Sequence, residues 1–226
     1  RYQDPEYTTQ LQAILECIRL VQSFDDYITW VRCDQIKATY AAAHQFFKNK
    51  TNFYDKEPAV KQFNEIFNDF DHYIVQYNHN YVKTQKQQLQ QYFDHIEGKS
   101  LDDQQRTAVI TDEYSNLIIA GAGSGKTLTI LGKVQYLVEQ KKIHPNNILL
   151  LSFTKKTVEE LNERLRAIKL GVEATTFHRL GYNIIKQHHA SIPAVTNENT
   201  LSAVIKAYLQ EDILQDAQAL QSYIQY

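Results

Sequence analysis

A chain of 226 residues with 43% hydrophobic and 22% charged residues has enough apolar material for one sizeable core and a second, smaller unit, which excludes a disordered chain. Its formal net charge of -2 excludes nucleic-acid binding by bulk attraction, so any such binding has to come from a local patch. Cys17 and Cys33 lack metal-ligand spacing, no run of about 18 apolar residues is long enough to span a membrane, and no signal peptide is evident, so a reducing, cytoplasmic compartment is expected. There is no methionine and position 1 is Arg1, from which the numbering is expected to begin inside a longer product.

Leu11, Ile14, Leu15, Ile18, Val21, Phe24, Ile28 and Val31 recur at steps of three and four and predict one stripe of a helix, which continues less cleanly to Phe47. Lys48 to Pro58 reads as a turn. Val60, Phe63, Phe67, Phe70, Ile74, Tyr77 and Tyr81 then repeat the spacing, and two long antiparallel helices are the simplest way to hide both stripes. The glutamine-rich stretch from Lys83 to Gly98 keeps helical spacing at Leu89, Tyr92, Phe93 and Ile96, so it reads as the end of the second helix. Aromatics in this front half invite a base-stacking reading, yet their periodicity favours packing for Phe63, Phe67 and Phe70.

Gly98 is a stop signal and Lys99 to Asp102 a short bridge. Asp102 or Asp103 can cap a short helix that carries Gln105 and Arg106. Leu117 to Ala120 predicts a short buried strand, followed by the turn Gly121, Ala122, Gly123, Ser124, Gly125 and a helix from Lys126 to Gln140. Further on, Ile148 to Phe153 predicts a strand, Lys155 to Ile168 a helix ended by Gly171, Val172 to Thr175 a third strand, and Phe177 to Gln187 a helix. Two more helices are expected beyond Pro193, Leu201 to Leu209 and Ile213 to Tyr223. Alternation of strand and helix with crossovers of about a dozen residues is the grammar of a mostly parallel sheet.

The stretch LIIAGAGSGKT, Leu117 to Thr127, has the order of parts that a phosphate cradle needs. Glycines let successive N–H groups point into one concavity, and the positive end of the following helix adds its partial charge. Lys126 can reach the terminal phosphates and the Thr127 hydroxyl can help to hold magnesium. The general pattern wants glycine where this chain has Ala120. A side-chain amide such as that of Gln105 offers a donor and an acceptor together, which suits an adenine edge, although a lone helical glutamine is by default a surface residue. From Ser152 to Lys186 seven basic residues stand against four acidic ones, a local net charge of 7 - 4 = +3. Asp112 and Glu113 form an acidic pair, but they precede the phosphate-loop strand instead of ending a later one.

With LDDQQRTAVI (Leu101 to Ile110) before the loop, and ILLLSFTKKTVEELNERLR (Ile148 to Arg166) and TTFHRLG (Thr175 to Gly181) after it, the chain resembles the superfamily 1 helicases of the Rep and UvrD type. It looks closest to their DNA helicase IV branch. In that family the loop is written AxxGxGKT, which Ala120 to Thr127 match as they stand. The resemblance implies an incomplete RecA-like P-loop NTPase fold of class α/β, with a helical domain at residues 1–99 formed as a long hairpin. Residues 100–190 would be the first part of the motor domain, and 191–226 the start of an inserted helical subdomain.

The family's roles carry over position by position. ATP with Mg2+ would be bound by Gln105, Arg106 and the loop Ala120, Gly121, Ala122, Gly123, Ser124, Gly125, Lys126 and Thr127, with Lys126 and Thr127 in the chemistry and Thr127 on the metal. Phe153, Thr154 and Lys155 in motif Ia, and Thr176, Phe177 and His178 in motif Ib, would touch single-stranded DNA. Lys155 replaces a common asparagine, and Leu128 stands where several relatives place arginine. The implied function is an ATP-dependent helicase that tracks 3′ to 5′ on single-stranded DNA in DNA repair. The magnesium- and water-handling carboxylates of motif II and the second motor domain would lie beyond Tyr226, so the fragment alone is expected to be inactive. Two other classes stay open: a non-motor ATP- or protein-binding regulatory module, and a helical front that docks a protein partner. A small-molecule kinase leaves Gln105, Phe153 to Lys155 and His178 without an explanation.

Overall fold

A computed structural model describes residues 5–49, 57–188 and 198–225. Helices α1 (Pro5–Gln22) and α2 (Trp30–Asn49) open the chain. The stripe that predicts one helix through Val31 is divided between them. Ser23 Oγ donates to the Leu20 carbonyl at 2.7 Å and closes α1, and a turn follows before Thr29. Tyr7, early in α1, meets Phe47, late in α2, with ring centroids 6.2 Å apart, so the two helices run antiparallel.

Helices α3 (Pro58–Phe67) and α4 (Phe70–Gln88) share the second stripe. The division falls at Asp69, whose side chain accepts the His72 N–H at 3.3 Å and caps α4. Phe63, Phe67 and Phe70 are buried and stack in sequence at 4.7 and 5.0 Å, so these aromatics pack the core. The front is thus a helical bundle, with its long hairpin built in shorter pieces. The predicted turn at Lys48 to Pro58 falls largely on residues 50–56, outside the described residues.

A one-turn helix α5 (Gln90–Phe93) leads to α6 (Asp103–Ile110) and α7 (Lys126–Glu139). Phe93 and Ile96 share one buried cluster with Leu101, Val109, Ile110 and Tyr136, so the bridge at Gly98 joins two sequence regions without separating their cores. Gly132 lets α7 lie close to its neighbours: a Cβ there would meet Leu101 Cδ1 at 3.0 Å and Val109 Cγ2 at 3.6 Å. Lys133, on the next position, donates to the Val109 and Thr111 carbonyls, both at 2.9 Å, and so satisfies the end of α6. Burial pushes its ammonium below the usual lysine value, while Asp112 at 3.3 Å opposes that shift.

Beyond α7 come a 3-10 turn (Pro145–Asn147), strand β1 (Leu150–Ser152), helix α8 (Lys155–Ala167), strand β2 (Ala174–Thr176) and helix α9 (Phe177–His188). The strands pair in a two-stranded parallel sheet, the incomplete P-loop sheet that the α/β reading expects. Helix α10 (Glu198–Tyr208) runs into a π-helical turn (Leu209–Ile213) and then α11 (Ala217–Gln225). Contacts divide the chain into two compact units, residues 1–150 with 159–174, and residues 151–158 with 175–226.

The predicted phosphate-loop strand also differs. Leu117 to Ala120 is not a buried strand: the segment has no ladder partner among the described residues, and Leu117 and Ile119 are 86% and 89% exposed. A strand needs neighbours to satisfy its backbone and cover its faces, and a continuous apolar run supplies neither.

In the first unit, the turn after α1 is tied to the end of α7. Asp26 accepts from the Tyr27 N–H at 2.6 Å and the Tyr81 hydroxyl at 3.0 Å and pairs with Lys141. Burial alone would raise this carboxyl, but Lys141 and the two other donors hold it below the usual aspartate value. A carboxyl more acidic in the folded state contributes stability at neutral pH that is lost as pH falls through and below the ordinary carboxylate range. Asp26→Asn is therefore expected to lower stability at neutral pH and to flatten the acid limb of the stability profile below about pH 4. Urea unfolding across that range checks it, and an unchanged acid limb would count against this role.

Candidate nucleotide site and strand-end loops

The glycine-rich loop is shaped by its own backbone before any ligand is considered. Ser124 Oγ donates to the Gly121 carbonyl at 2.8 Å and closes the turn. Gly123 and Gly125 have φ of 74° and 83°, the left-handed region that glycine enters without steric cost. Gly125 stands at the N-cap of α7, and its carbonyl accepts the Thr129 N–H at 2.9 Å and the Thr129 hydroxyl at 3.2 Å. The first N–H groups of this 14-residue helix have no acceptor within it and carry the positive end of its dipole.

Lys126 Nζ lies against the loop, donating to the Ala120 carbonyl at 3.0 Å and the Gly121 carbonyl at 2.6 Å. Thr127 follows in the first turn of α7, and its hydroxyl makes no hydrogen bond among the described residues. Beside the loop is a cavity of about 290 Å3, lined by Asp102, by Gln104, Gln105 and Ala108 of α6, by Ile118 to Gly121, and by Ser124, Lys126 and Thr129. The arrangement sets a glycine-rich loop and helix start, able to hold an anion, beside a small half-apolar recess at α6. Magnesium fits only in part: Thr127 supplies one oxygen, and no group of three His, Cys, Asp or Glu among the described residues could hold a metal by itself.

Of the two expected caps, Asp102 and Asp103, the structure uses Asp102, in a reciprocal box with Gln105. The Gln105 amide donates from Nε2 to the Ser124 carbonyl at 3.1 Å, a contact that sequence spacing does not announce. Arg106 turns away from the loop: its guanidinium binds the Leu101 carbonyl at 2.7 Å, Asp94 at 2.6 Å and Ser100 at 3.0 Å. Leu128 is half-buried against the cluster around Phe93, which suits an apolar residue at that position. Asp112 and Glu113 both have structural partners, Lys133 for the first and the Trp30 N–H at 3.1 Å for the second.

The second unit holds the other candidate residues. Strand β1 runs through Phe153 into α8, whose first turn is capped by Thr154, with its Oγ1 accepting the Thr157 N–H at 3.2 Å. Strand β2 runs directly into α9, capped in the same way by Thr176, whose Oγ1 accepts the Arg179 N–H at 3.2 Å. Each parallel strand thus ends in a threonine-capped helix start beside an exposed phenylalanine, Phe153 at 83% and Phe177 at 59% exposure. Lys155 and His178 are exposed at the same two places. Backbone N–H groups at helix starts bind phosphates, and exposed rings stack on bases.

A parallel strand pair and a glycine-rich loop opening a helix place the chain in the P-loop NTPase class. Residues 101–224 match the UvrD/REP helicase N-terminal domain, and the chain belongs to that helicase family. It is 34% identical over 147 residues to DNA helicase IV of Escherichia coli, covering 63% of this chain and 21% of that protein. It is 32% identical over 121 residues to the ATP-dependent DNA helicase PcrA of Staphylococcus epidermidis, covering 51% and 16%, and 33% identical over 100 residues to Escherichia coli DNA helicase II, covering 42% and 14%. The chain thus spans about a fifth or less of the length of these relatives. No described helix is long and apolar enough to cross a membrane.

Gly125 carries two constraints at once, its positive φ and a Cβ position 2.6 Å from Gln105 Nε2. Gly125→Ala is expected to cost about 1–2 kcal/mol in urea unfolding from the left-handed conformation alone. A change below about 0.5 kcal/mol, the level of an ordinary surface substitution, would show that the loop does not hold this conformation.

Proposed function

We propose that the chain is the nucleotide-binding front portion of an ATP-dependent DNA helicase that moves 3′ to 5′ along single-stranded DNA. The observation that carries this reading is the loop Ala120 to Thr127 at the start of α7, with Lys126 already against the loop carbonyls and Gln105 of α6 beside it. In this reading the loop N–H groups and the dipole of α7 hold the β- and γ-phosphates, and Lys126 transfers its amine from the Ala120 and Gly121 carbonyls to phosphate oxygens. Adenine lies in the recess by Gln105, whose amide has the donor and acceptor its edge requires. The Thr127 hydroxyl would be this chain's ligand to magnesium, which would supply charge neutralisation to phosphoryl transfer when bound.

The single strand runs across the ends of β1 and β2, its backbone on the helix starts at Thr154 and Thr176 and its bases on Phe153 and Phe177, with Lys155 and His178 adding polar contacts. A carboxylate on magnesium and arginines for the developing charge come from the remaining motor domains in this reading, so residues 1–226 bind without turning over. A short stretch of single-stranded DNA and ATP are then the ligands, in a protein of DNA repair. The boundaries 1–99, 100–190 and 191–226 separate helical front, motor portion and the start of an inserted subdomain.

ATP turnover by the intact gene product, with and without single-stranded DNA, tests the proposal. Turnover is expected to rise with DNA and to fall at least about a hundredfold in Lys126→Ala, the scale of losing a preorganised charge at a transferring phosphoryl group. DNA-independent turnover, or a Lys126→Ala variant as active as the parent, would sink it. Phe153→Ala and Phe177→Ala are each expected to weaken single-stranded DNA binding by about 1–3 kcal/mol while leaving ATP affinity in place. Fluorescence anisotropy with a labelled oligonucleotide reads that, and unchanged DNA affinity in both variants would remove the strand-end loops from the interface.

A further inference from the structure

Gln105 is held at both ends of its amide. Oε1 accepts the Asp102 N–H at 2.9 Å and Nε2 donates to the Ser124 carbonyl at 3.1 Å, while the Asp102 carboxylate accepts the Gln105 N–H at 2.8 Å. The acceptor end therefore belongs to the capping box of α6, and the donor end to the phosphate loop. In a trans peptide the C=O and N–H point to opposite sides, so holding the Ser124 carbonyl also sets the direction of the Gly125 N–H, one of the groups at the mouth of α7. Contact is close enough that a Cβ at Gly125 would lie 2.6 Å from Gln105 Nε2. No other side chain donates to the Ser124 carbonyl among the described residues.

We infer that Gln105 is a positioning residue of the phosphate loop, orienting the Ser124–Gly125 peptide for a polyphosphate whether or not a base is present. This rests on the nucleotide reading above and deepens it. Nε2 keeps a second N–H and Oε1 a second lone pair, so the amide holds Ser124 and Asp102 and still has a donor and an acceptor for an adenine edge. The loop is ordered first by Gln105 and then by the phosphates themselves.

Tripolyphosphate with magnesium separates this role from base reading, because it has phosphates and no base. Gln105→Glu keeps an acceptor for the Asp102 N–H, glutamate being an ordinary capping-box residue, and removes the donor to Ser124. Gln105→Met, of similar length and neutral, controls for the repulsion that a carboxylate adds and for any folding failure of the first variant. On the 226-residue chain, calorimetric titration with Mg-tripolyphosphate and with Mg-ATP is expected to show both ligands weakened about three- to tenfold in either variant, the scale of one hydrogen bond. Hydrogen exchange at the Ser124 and Gly125 amides without ligand is expected to quicken, with helix content by circular dichroism unchanged.

If ATP weakens in Gln105→Met while tripolyphosphate affinity and loop exchange stay at the parent level, Gln105 acts on the base alone and the inference is overturned. If the parent chain binds tripolyphosphate no better than Lys126→Ala does, the phosphate-loop reading itself falls, and the positioning role falls with it.

Discussion

The close approach of α7 to α6 is the constraint on which the candidate site depends. Gly132 has no side chain where a Cβ would press on Leu101, so α7 can settle against the cluster that Phe93, Ile96, Leu101, Val109, Ile110 and Tyr136 form. Lys133 then binds the carbonyls that end α6. With the middle of α7 located in this way, its first turn brings Gly125 within contact of Gln105, and the recess beside the loop follows from that juxtaposition. Apolar packing sets the distance between the helices, and the lysine sets their rotation, since hydrogen bonds are directional where burial is not.

The helical front is fastened to the same pair of helices by charged groups. Asp26 pairs with Lys141 after α7, Lys86 of α4 with Asp103 of α6 at 2.8 Å, and Arg106 of α6 with Asp94 at 2.6 Å. In each pair the basic side chain is largely covered and the acid more exposed, so each adds modest stability. Their use here is geometric: they sit around the rim of one apolar cluster and select one orientation of the front against the loop-bearing helix. Glu97 and Arg164 extend the pattern to α8 with a two-pronged ion pair.

Much of this was legible in the residue order because it depends on local chemistry. Glycines at 121, 123 and 125 before Lys126 and Thr127 announce a loop with positive φ ahead of a helix, and two of the three have that conformation. Asp102 and Asp103 announce a helix cap, and the structure gives it to Asp102, with Gln105 completing a capping box that the sequence reading did not anticipate. The fused stripe over Leu11 to Val31 was less informative, because spacing by three and four persists across a tight turn when both flanking helices face the same core. Leu117 to Ala120 misled for a related reason: apolar residues state what a segment would bury, and the partner strands that would bury it are a matter of assembly.

By itself the sequence determined the phosphate loop, the helical class of the front, the alternation of strand and helix after Pro145, and membership of a helicase family, because each is written in neighbouring residues or in a fixed series of short motifs. Tertiary structure alone decided that Arg106 braces Asp94 and Leu101 instead of facing the loop, that Gln105 holds the Ser124 carbonyl, and that Lys141 reaches Asp26, 115 positions away. Those contacts join side chains whose separation along the chain is unrelated to their separation in space. Only the packing of α6, α7 and the front helices brings them within hydrogen-bond reach.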